Sequence, residues 1–245
     1  MKITYASYTD TGDREINEDS FLCLPCGEGK FFAAVADGLG GHGLGDVASG
    51  IAVHTAYDVY KRKTKFSSDD FNDIYDKCQE ALLAQQISEH AQKKMRTTLN
   101  LLCIDNNIAC WSHIGDSRTY YFKDGKMVKR TIDHSVPQML VSAGEIEERE
   151  IRFHEDRNRL LKALGIDGAS HTGETEEEVA LSGGQQFLLC SDGFWERITE
   201  EQIELCLDES DDPQLWIDNM IELATRNRRE ENADNTTVVA VWTED

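Results

Sequence analysis

Short apolar runs, separated by turn residues, recur along this chain and limit the folds it can adopt. Runs of this length that are bounded by Gly, Asp, Asn or Ser are typical of β-strands. Tight turns at residues 105–107 and 124–125 join successive runs, which indicates an antiparallel meander. The predicted strands cover residues 3–8, 21–24, 31–36, 98–104, 108–114, 118–122, 127–130, 174–181, 185–190 and 236–242.

Helical periodicity interrupts these strand-rich blocks. From Asp46 onward, apolar residues recur on one helical face, and a Ser-x-x-Asp cap near Ser67 or Ser68 predicts a second helix. Further helices are predicted at residues 136–143 and 158–164, after the capping box of Thr199 and Gln202, and at Pro213. The residues alone therefore predict an α+β fold with mainly antiparallel sheet. No linker or repeat divides the chain, and we expect one domain over residues 1–245.

Charge and cysteine content narrow the classes of partner and compartment. The chain has 25 basic and 46 acidic residues, and its net charge of -21 disfavours binding to nucleic acid or to anionic membranes. The apolar run at residues 31–36 is far too short to cross a bilayer. Seven cysteines, an odd number spread over apolar stretches and loops, suit a reducing compartment, so we expect a cytoplasmic protein without disulfides.

Four aspartates stand beside apolar strands. Asp37 follows residues 31–36, Asp116 and Asp192 follow two other runs, and Asp234 precedes the last strand. A carboxylate at such depth loses hydration and needs a positive partner, but no Lys or Arg lies within one residue of Asp37, Asp192 or Asp234. These all-oxygen ligands favour Mg²⁺ or Mn²⁺, and two such ions could activate a water molecule and clamp a phosphoryl group.

Six ordered segments resemble the signatures of the PP2C (PPM) protein phosphatases, in their compact bacterial form. They are TDTGxRxxNED at residues 9–19, VADGLGGH at 35–42, HIGDSRxY at 113–120, DHS at 133–135, LLCSDG at 188–193 and DNxT at 234–237. The resemblance extends over residues 2–242. It implies a PP2C-like fold, a central sandwich of two antiparallel β-sheets flanked by helices in four αββα layers.

The resemblance also implies a set of metal ligands at one end of the sandwich. Asp37 would bridge two core ions, with Asp192 and Asp234 on the first of them. Glu18 and the Gly38 carbonyl would bind the second ion.

Three further residues receive roles from the same resemblance. Asp19 would act through bound water, and Asp116 would share a weaker third ion with Asp192. Arg14 would bind the substrate phosphate, for which a guanidinium fork is well suited. Arg118 is instead expected to order its turn by pairing with a carboxylate.

Two positions depart from the family pattern. Leu39 stands where eukaryotic members often carry a histidine proposed as general acid, which leaves protonation of the leaving group unassigned. His42 and His134 are expected to be structural, although a metal-bound water or His42 stays open as the acid. Arg96 replaces a glycine that usually precedes the Thr97-Thr98 pair.

The resulting hypothesis is a metal-dependent protein serine/threonine phosphatase that hydrolyses phosphoserine and phosphothreonine by direct attack of a metal-bound water. The alternative is a non-catalytic phosphoprotein-binding or regulatory module on the same fold, although no ligand position is lost. We expect phosphorylated substrates of a serine/threonine kinase and a monomeric enzyme. The highly charged segment at residues 145–158 is expected to form an exposed flap that favours basic sequences around the phosphosite.

Overall fold

The computed structural model describes residues 1–39, 44–91, 94–176, 178–227 and 232–244. Eleven strands are present in these ranges: β1 Lys2–Asp10, β2 Asp19–Pro25, β3 Lys30–Asp37, β4 Leu99–Asp105, β5 Ile108–Ile114, β6 Arg118–Lys123, β7 Lys126–Arg130, β8 Glu174–Thr175, β9 Val179–Ala180, β10 Gln185–Cys190 and β11 Thr236–Glu244. The α-helices are α1 Gly45–Arg62, α2 Phe71–Ser88, α3 Val136–Ser142, α4 Asp192–Trp195, α5 Glu200–Asp208 and α6 Pro213–Arg226. Two 3₁₀ helices cover Ser68–Asp70 and Glu148–Phe153.

The strands form two antiparallel sheets. One sheet has the order β1-β11-β10-β6-β7, and the other has the order β2-β3-β4-β5-β8, with β9 also paired to β5. The two predicted hairpins, β4 with β5 and β6 with β7, are confirmed, but the continuous meander is wrong because β5 and β6 belong to different sheets. The chain therefore changes sheets at the turn that contains Asp116.

Strand β3 shows how the layers pack. Phe32, Ala34 and Ala36 on one face pack with α1 and α2, whereas Phe31 and Val35 on the other face join the core between the sheets. Burial on both faces explains why this strand is an unbroken apolar run. On the far side of the sandwich, α5 and α6 cover the second sheet with a core that includes Trp216 and Ile203. The four-layer αββα prediction is confirmed.

Three local predictions are wrong. Residues 158–164 form no helix, because their backbone pairs with other segments, including isolated bridges from Leu160 to Ser135 and from Leu164 to Thr97. The single strand predicted at residues 174–181 is two short strands, β8 and β9. The charged segment at residues 145–158 is only partly exposed, since its 3₁₀ helix buries Ile151 against a core that includes Trp195 and Ile198.

No helix in the described ranges is both long enough and apolar enough to cross a bilayer.

A buried ion pair fixes the turn between the sheets. The Arg118 guanidinium donates two hydrogen bonds to Asp133, of 2.8 Å from Nε and 2.6 Å from Nη2. Both side chains are 1% exposed. Arg118 also lies over the Trp195 ring, 3.4 Å from its centroid, and the Trp195 indole donates to the Asp116 carbonyl. The prediction that Arg118 pairs with a carboxylate is confirmed.

Replacing Arg118 by methionine should lower the free energy of unfolding by up to about 3–5 kcal/mol, because the buried Asp133 would keep only its longer 3.4 Å contact with Arg130. Denaturant-induced unfolding of the metal-free protein measures this loss. The control is Lys77→Ala, which removes the exposed Lys77–Glu80 pair and should leave the stability nearly unchanged. Equal effects of the two substitutions would contradict the assigned importance of the buried pair.

Candidate metal centre

The two sheets bring carboxylates together at one end of the sandwich. Asp19 opens β2 and stands opposite Asp37, the last residue of β3, in the antiparallel register. Asp192 follows β10 after a single residue, and Asp234 precedes β11 by one residue. The Ser191 hydroxyl donates a 2.7 Å hydrogen bond to Asp19 Oδ2, which joins the two sheets at this end.

The loop before β2 is tied to β11 by one side chain. The Asn235 amide nitrogen donates to the carbonyls of Thr11 and Ile16, and its Oδ1 accepts a 2.8 Å hydrogen bond from the Glu18 backbone nitrogen. Glu18 is thereby held beside Gly38, whose backbone nitrogen donates to the Glu18 carbonyl over 3.1 Å. Asn235 belongs to a sequence motif, but the sequence alone gave it no role.

Close backbone contacts explain the glycines of this site. A Cβ atom on Gly38 would lie 2.2 Å from the Gly45 carbonyl oxygen, and one on Gly193 would lie 2.0 Å from the Asn235 carbonyl oxygen. Real Cβ atoms do not approach oxygen so closely, so a side chain at either position would push the Asp37 and Asp192 loops away from their neighbours.

Burial and mutual repulsion raise the pKa values of four carboxyl groups at this end, those of Asp19, Asp37, Asp116 and Asp192. Burial comes first for each, and neighbouring carboxylates add to it: the pKa of Asp19 rises to about 7 and that of Asp192 to about 6. Burial raises the pKa values of Asp37 and Asp116 well above their usual range, and the charge of Asp192 is the largest electrostatic contribution for both. The cluster thus holds several like charges that burial and mutual repulsion disfavour.

The donor set fits hard divalent cations. Asp19 Oδ1 is buried and has no hydrogen-bond partner within the described ranges, so an acceptor is left unused in the interior. The surrounding donors are carboxylate and carbonyl oxygens, which are the ligands that Mg²⁺ and Mn²⁺ prefer. Cations at this end would offset the repulsion between the carboxylates and would give the unsatisfied Asp19 Oδ1 a partner.

Arg14 and Asp116 occupy opposite environments. The Arg14 side chain is 53% exposed, and its Nη2 donates a 2.8 Å hydrogen bond to Asp234 Oδ2. Asp116 is buried between Asp192 and Asp133, and the raised pKa of its carboxyl reflects both neighbours after burial itself. The structure therefore places Arg14 at the entrance and Asp116 in the interior of the same cluster.

The histidines considered from the sequence lie apart from this oxygen cluster or outside the described residues. His42, with Gly40 and Gly41 of its motif, falls outside them. His134 stacks on His113, with ring centroids 4.8 Å apart, and its Nδ1 accepts a hydrogen bond from the Gly115 backbone nitrogen. Burial lowers the pKa of His134 to about 3, so the ring is neutral at neutral pH.

His113, His134 and Glu174 form a tight trio of ligand-type atoms, within 4.8 Å of one another. The His113 Nε2 bonds to the Ile132 carbonyl, so that nitrogen carries the proton. Because His134 Nδ1 accepts from Gly115, the proton of this neutral ring is on Nε2, the atom that faces Glu174 at 3.6 Å. A metal at Nε2 would require loss of the Gly115 hydrogen bond, which favours a structural trio.

The two positions that depart from the family pattern meet in the backbone. The Leu39 nitrogen donates a 2.8 Å hydrogen bond to the Arg96 carbonyl. Thr97 and Thr98 then bind the Asp37 carbonyl through the Thr97 hydroxyl and the Thr98 backbone nitrogen, each over 2.9 Å. The Arg96 replacement therefore leaves the main-chain support of Asp37 in place.

Comparisons with known proteins agree with this geometry. The pattern of the family described as protein phosphatase 2C matches residues 11–236. The serine/threonine phosphatase stp of Listeria welshimeri is 30% identical over 202 residues, which cover 80% of this chain and 79% of stp. The serine/threonine protein phosphatase PstP of Mycobacterium tuberculosis is 31% identical over 249 residues, and the match covers 98% of this chain but 45% of PstP.

Solved structures give the same result. The crystal structure of Mycobacterium tuberculosis PstP/Ppp superposes with a TM-score of 0.86 at 29% identity, over 99% of both chains. The PstP catalytic domain in complex with two manganese ions superposes with a TM-score of 0.83 at 28% identity, again over 99% of both chains.

The αββα sandwich with an oxygen-rich, metal-binding end defines the class of metal-dependent phosphatases. Within this class, the chain belongs to the protein phosphatase 2C family. The predictions of family, fold, Mg²⁺ or Mn²⁺ dependence and serine/threonine phosphatase class are therefore confirmed.

The raised pKa values make metal binding and stability depend on pH. The Asp19 and Asp192 carboxyl groups have folded-state pKa values of about 7 and about 6, against 3.8 for an unperturbed Asp. Between about pH 4 and pH 7 the metal-free folded state keeps protons that the unfolded state has lost, so these groups contribute less stability as pH rises. Bound cations favour the ionised carboxylates and should reverse this loss.

Manganese should therefore stabilise the fold more at about pH 7.5 than at about pH 5.5, by at least ~1.4 kcal/mol, which corresponds to one pKa unit. Denaturant unfolding with Mn²⁺ and with chelator at both pH values measures the difference. The same stabilisation at both pH values would show that the metal does not bind the buried carboxylates.

Proposed function

We propose that this chain hydrolyses phosphoserine and phosphothreonine residues of other proteins at a two-ion centre formed by the carboxylate cluster. The observation that carries this proposal is the convergence of Asp19, Asp37, Asp192 and Asp234 at one end of the sandwich, with the unpartnered Asp19 Oδ1 among them. The two manganese ions in the PstP catalytic domain support the same count of core ions.

The proposed ligand roles follow the positions of the side chains. Asp37, whose pKa is raised by burial and by the charges of Asp192 and Asp19, would bridge the two core ions. Asp192 and Asp234 would complete the ligands of one ion. Glu18 and the Gly38 carbonyl, joined to each other through the backbone, would complete the other.

Two further carboxylates have indirect or weaker roles in the proposal. Asp19 would act through bound water, because Oδ2 is already engaged by Ser191 while Oδ1 has no described partner. Asp116 would share a weaker third ion with Asp192, which is the strongest electrostatic neighbour of its carboxyl group.

The protein groups prepare the substrate for direct attack. When bound, the two divalent ions supply an activated water molecule and neutralise charge on the phosphoryl group. Arg14 stands at the entrance and would donate hydrogen bonds from its guanidinium to the phosphate oxygens, while Asp234 keeps that guanidinium at the cluster before substrate arrives. The Leu39 side chain has no proton to donate, so no described side chain is assigned to protonate the leaving oxygen.

The non-catalytic alternative would use the same fold to bind phosphoproteins without hydrolysis. Every proposed ligand position carries an oxygen donor. Burying several carboxylates together costs free energy, and a module that only binds phosphoproteins has no evident need for such a cluster. Hydrolysis measured on a phosphothreonine peptide separates the two functions, since the alternative predicts binding without release of phosphate.

The cellular setting proposed here rests on the relatives and on composition. Named serine/threonine phosphatases among the relatives support phosphoproteins as substrates, and a serine/threonine kinase would supply them. We propose a monomer that acts through one domain over residues 1–245. Seven free cysteines, five of them buried, support a reducing cytoplasmic compartment.

Activity should require Mg²⁺ or Mn²⁺, and the Asp37→Asn variant should lose at least about 10³-fold in kcat because the ligand between both core ions loses its charge. Initial rates on a phosphothreonine peptide, with Mn²⁺ and with excess chelator, test both statements. The Asp58→Asn variant, changed on α1, is the matched control and should retain the wild-type rate. Full turnover in excess chelator would contradict the metal-dependent mechanism.

Arg14→Ala should raise KM about 10-fold or more, because hydrogen bonds from a charged group to the phosphate contribute ~1.5–3 kcal/mol. Steady-state kinetics measures this change, and calorimetric titration with Mn²⁺ should still count the same core ions. Arg149→Ala, which changes an 81% exposed flap arginine, is the control and should leave KM unchanged. An Arg14 variant with wild-type kinetic constants would show that Arg14 does not bind phosphate.

A further inference from the structure

A cleft with a volume of about 570 Å³ opens beside the carboxylate cluster, with Arg14 and Asp234 in its wall. Five arginines line it, namely Arg14, Arg152, Arg157, Arg197 and Arg226. The acidic residues of the lining are Glu196 and Asp234. In a chain with a net charge of -21, this cleft is a local excess of positive charge next to the proposed phosphate-binding residue.

Two of the five arginines build the wall of the cleft. Arg152 donates from Nη2 to both oxygens of Glu200, each over 2.8 Å, and from Nε to the Trp195 carbonyl. Arg157 pairs with Glu196 at 3.2 Å. These contacts fasten the flap to the segment after α4, and they balance the charges of both arginines.

The other three arginines have weaker or replaceable partners. Arg197 donates to the Asp234 backbone carbonyl over 3.3 Å, and within the described ranges no ion pair joins it to a carboxylate. Arg226 is 68% exposed and pairs with Glu222 on the surface of α6, a kind of pair that contributes little in water. Arg14 pairs with Asp234, a proposed metal ligand.

Three of the six acidic residues of the flap are paired with arginines, and the other three, Glu145, Glu150 and Glu155, form no ion pair within the described ranges. Glu147 pairs with Arg149, Glu148 with Arg130, and Asp156 with Arg159. The expectation that flap acids select basic sequences stays a prediction, whereas the cleft lining, with five arginines against two acidic residues, favours anions. An anion that enters the cleft meets the guanidinium groups of its lining.

We propose that this cleft is a subsite for a second anionic group of the phosphoprotein substrate, either an acidic side chain or a second phosphate close to the residue that is hydrolysed. Arg197 and Arg226 would bind that anion while Arg14 binds the phosphate under attack. The inference rests on the proposed function, because it concerns the substrate of the same centre.

Kinetics on matched phosphothreonine peptides test the inference. Each position within about four residues of the phosphothreonine, a reach of ~13 Å, carries in turn Ala, Lys, Asp or a non-hydrolysable phosphonate analogue of phosphoserine. At saturating Mn²⁺, Asp or the phosphonate at one or more positions should raise kcat/KM at least about threefold over Ala, and Lys should lower it. A gain with Asp identifies acidic side chains, and a gain with the phosphonate alone identifies a second phosphate.

Arginine variants connect this preference to the cleft. In Arg226→Gln and in Arg197→Gln, the ratio of kcat/KM for the acidic peptide to that for the Ala peptide should fall at least about twofold. Using the ratio within each variant removes any general loss of activity or of folded protein. Arg149→Gln, on the exposed face of the flap, is the control and should keep the wild-type ratio.

Two results would overturn the inference while leaving the proposed function intact. One is hydrolysis of the Ala peptide with no gain from Asp or phosphonate at any position, or with a gain from Lys. The other is an acidic preference that survives unchanged in both cleft variants. Absence of Mn²⁺-dependent hydrolysis on every peptide would instead contradict the proposed function itself.

Discussion

The burial of several like charges at one end of the sandwich is the constraint on which the rest of the structure depends. Asp19 and Asp37 are paired across β2 and β3, and Asp192 and Asp234 arrive from the other sheet. The raised pKa values of Asp19, Asp37 and Asp192 show that the protein alone disfavours this arrangement at neutral pH. The fold must therefore hold the carboxylates in place until cations offset their repulsion.

The surrounding hydrogen bonds supply that support. Asn235 ties the Glu18 loop to β11, Ser191 joins the sheets through Asp19, and the Thr98 hydroxyl accepts the backbone N–H of Asp37. On the other side of the cluster, Trp195 binds the Asp116 carbonyl and stacks on Arg118. Because Arg152 of the flap also reaches the Trp195 carbonyl, the flap and the Asp116 turn share one anchor.

Much of this arrangement was predictable from the sequence because local patterns carried it. An unbroken apolar run followed by Asp37-Gly38 indicates a buried strand whose end bears a carboxylate, and the capping box of Thr199 is present where it was predicted. The partial burial of the flap was not predictable, because Ile151 packs in a core cluster with Trp195, which is distant in sequence. The arginine cleft was missed for the same reason: its residues are scattered in sequence and meet only in the fold.

We propose that the buried carboxylates hold divalent cations. Anomalous diffraction from crystals grown with Mn²⁺ tests it most directly. Two manganese peaks should flank Asp37, with ligand oxygens at roughly the 2.0–2.2 Å typical of small divalent ions. Manganese at the His113, His134 and Glu174 trio, with none at Asp37, would contradict the account.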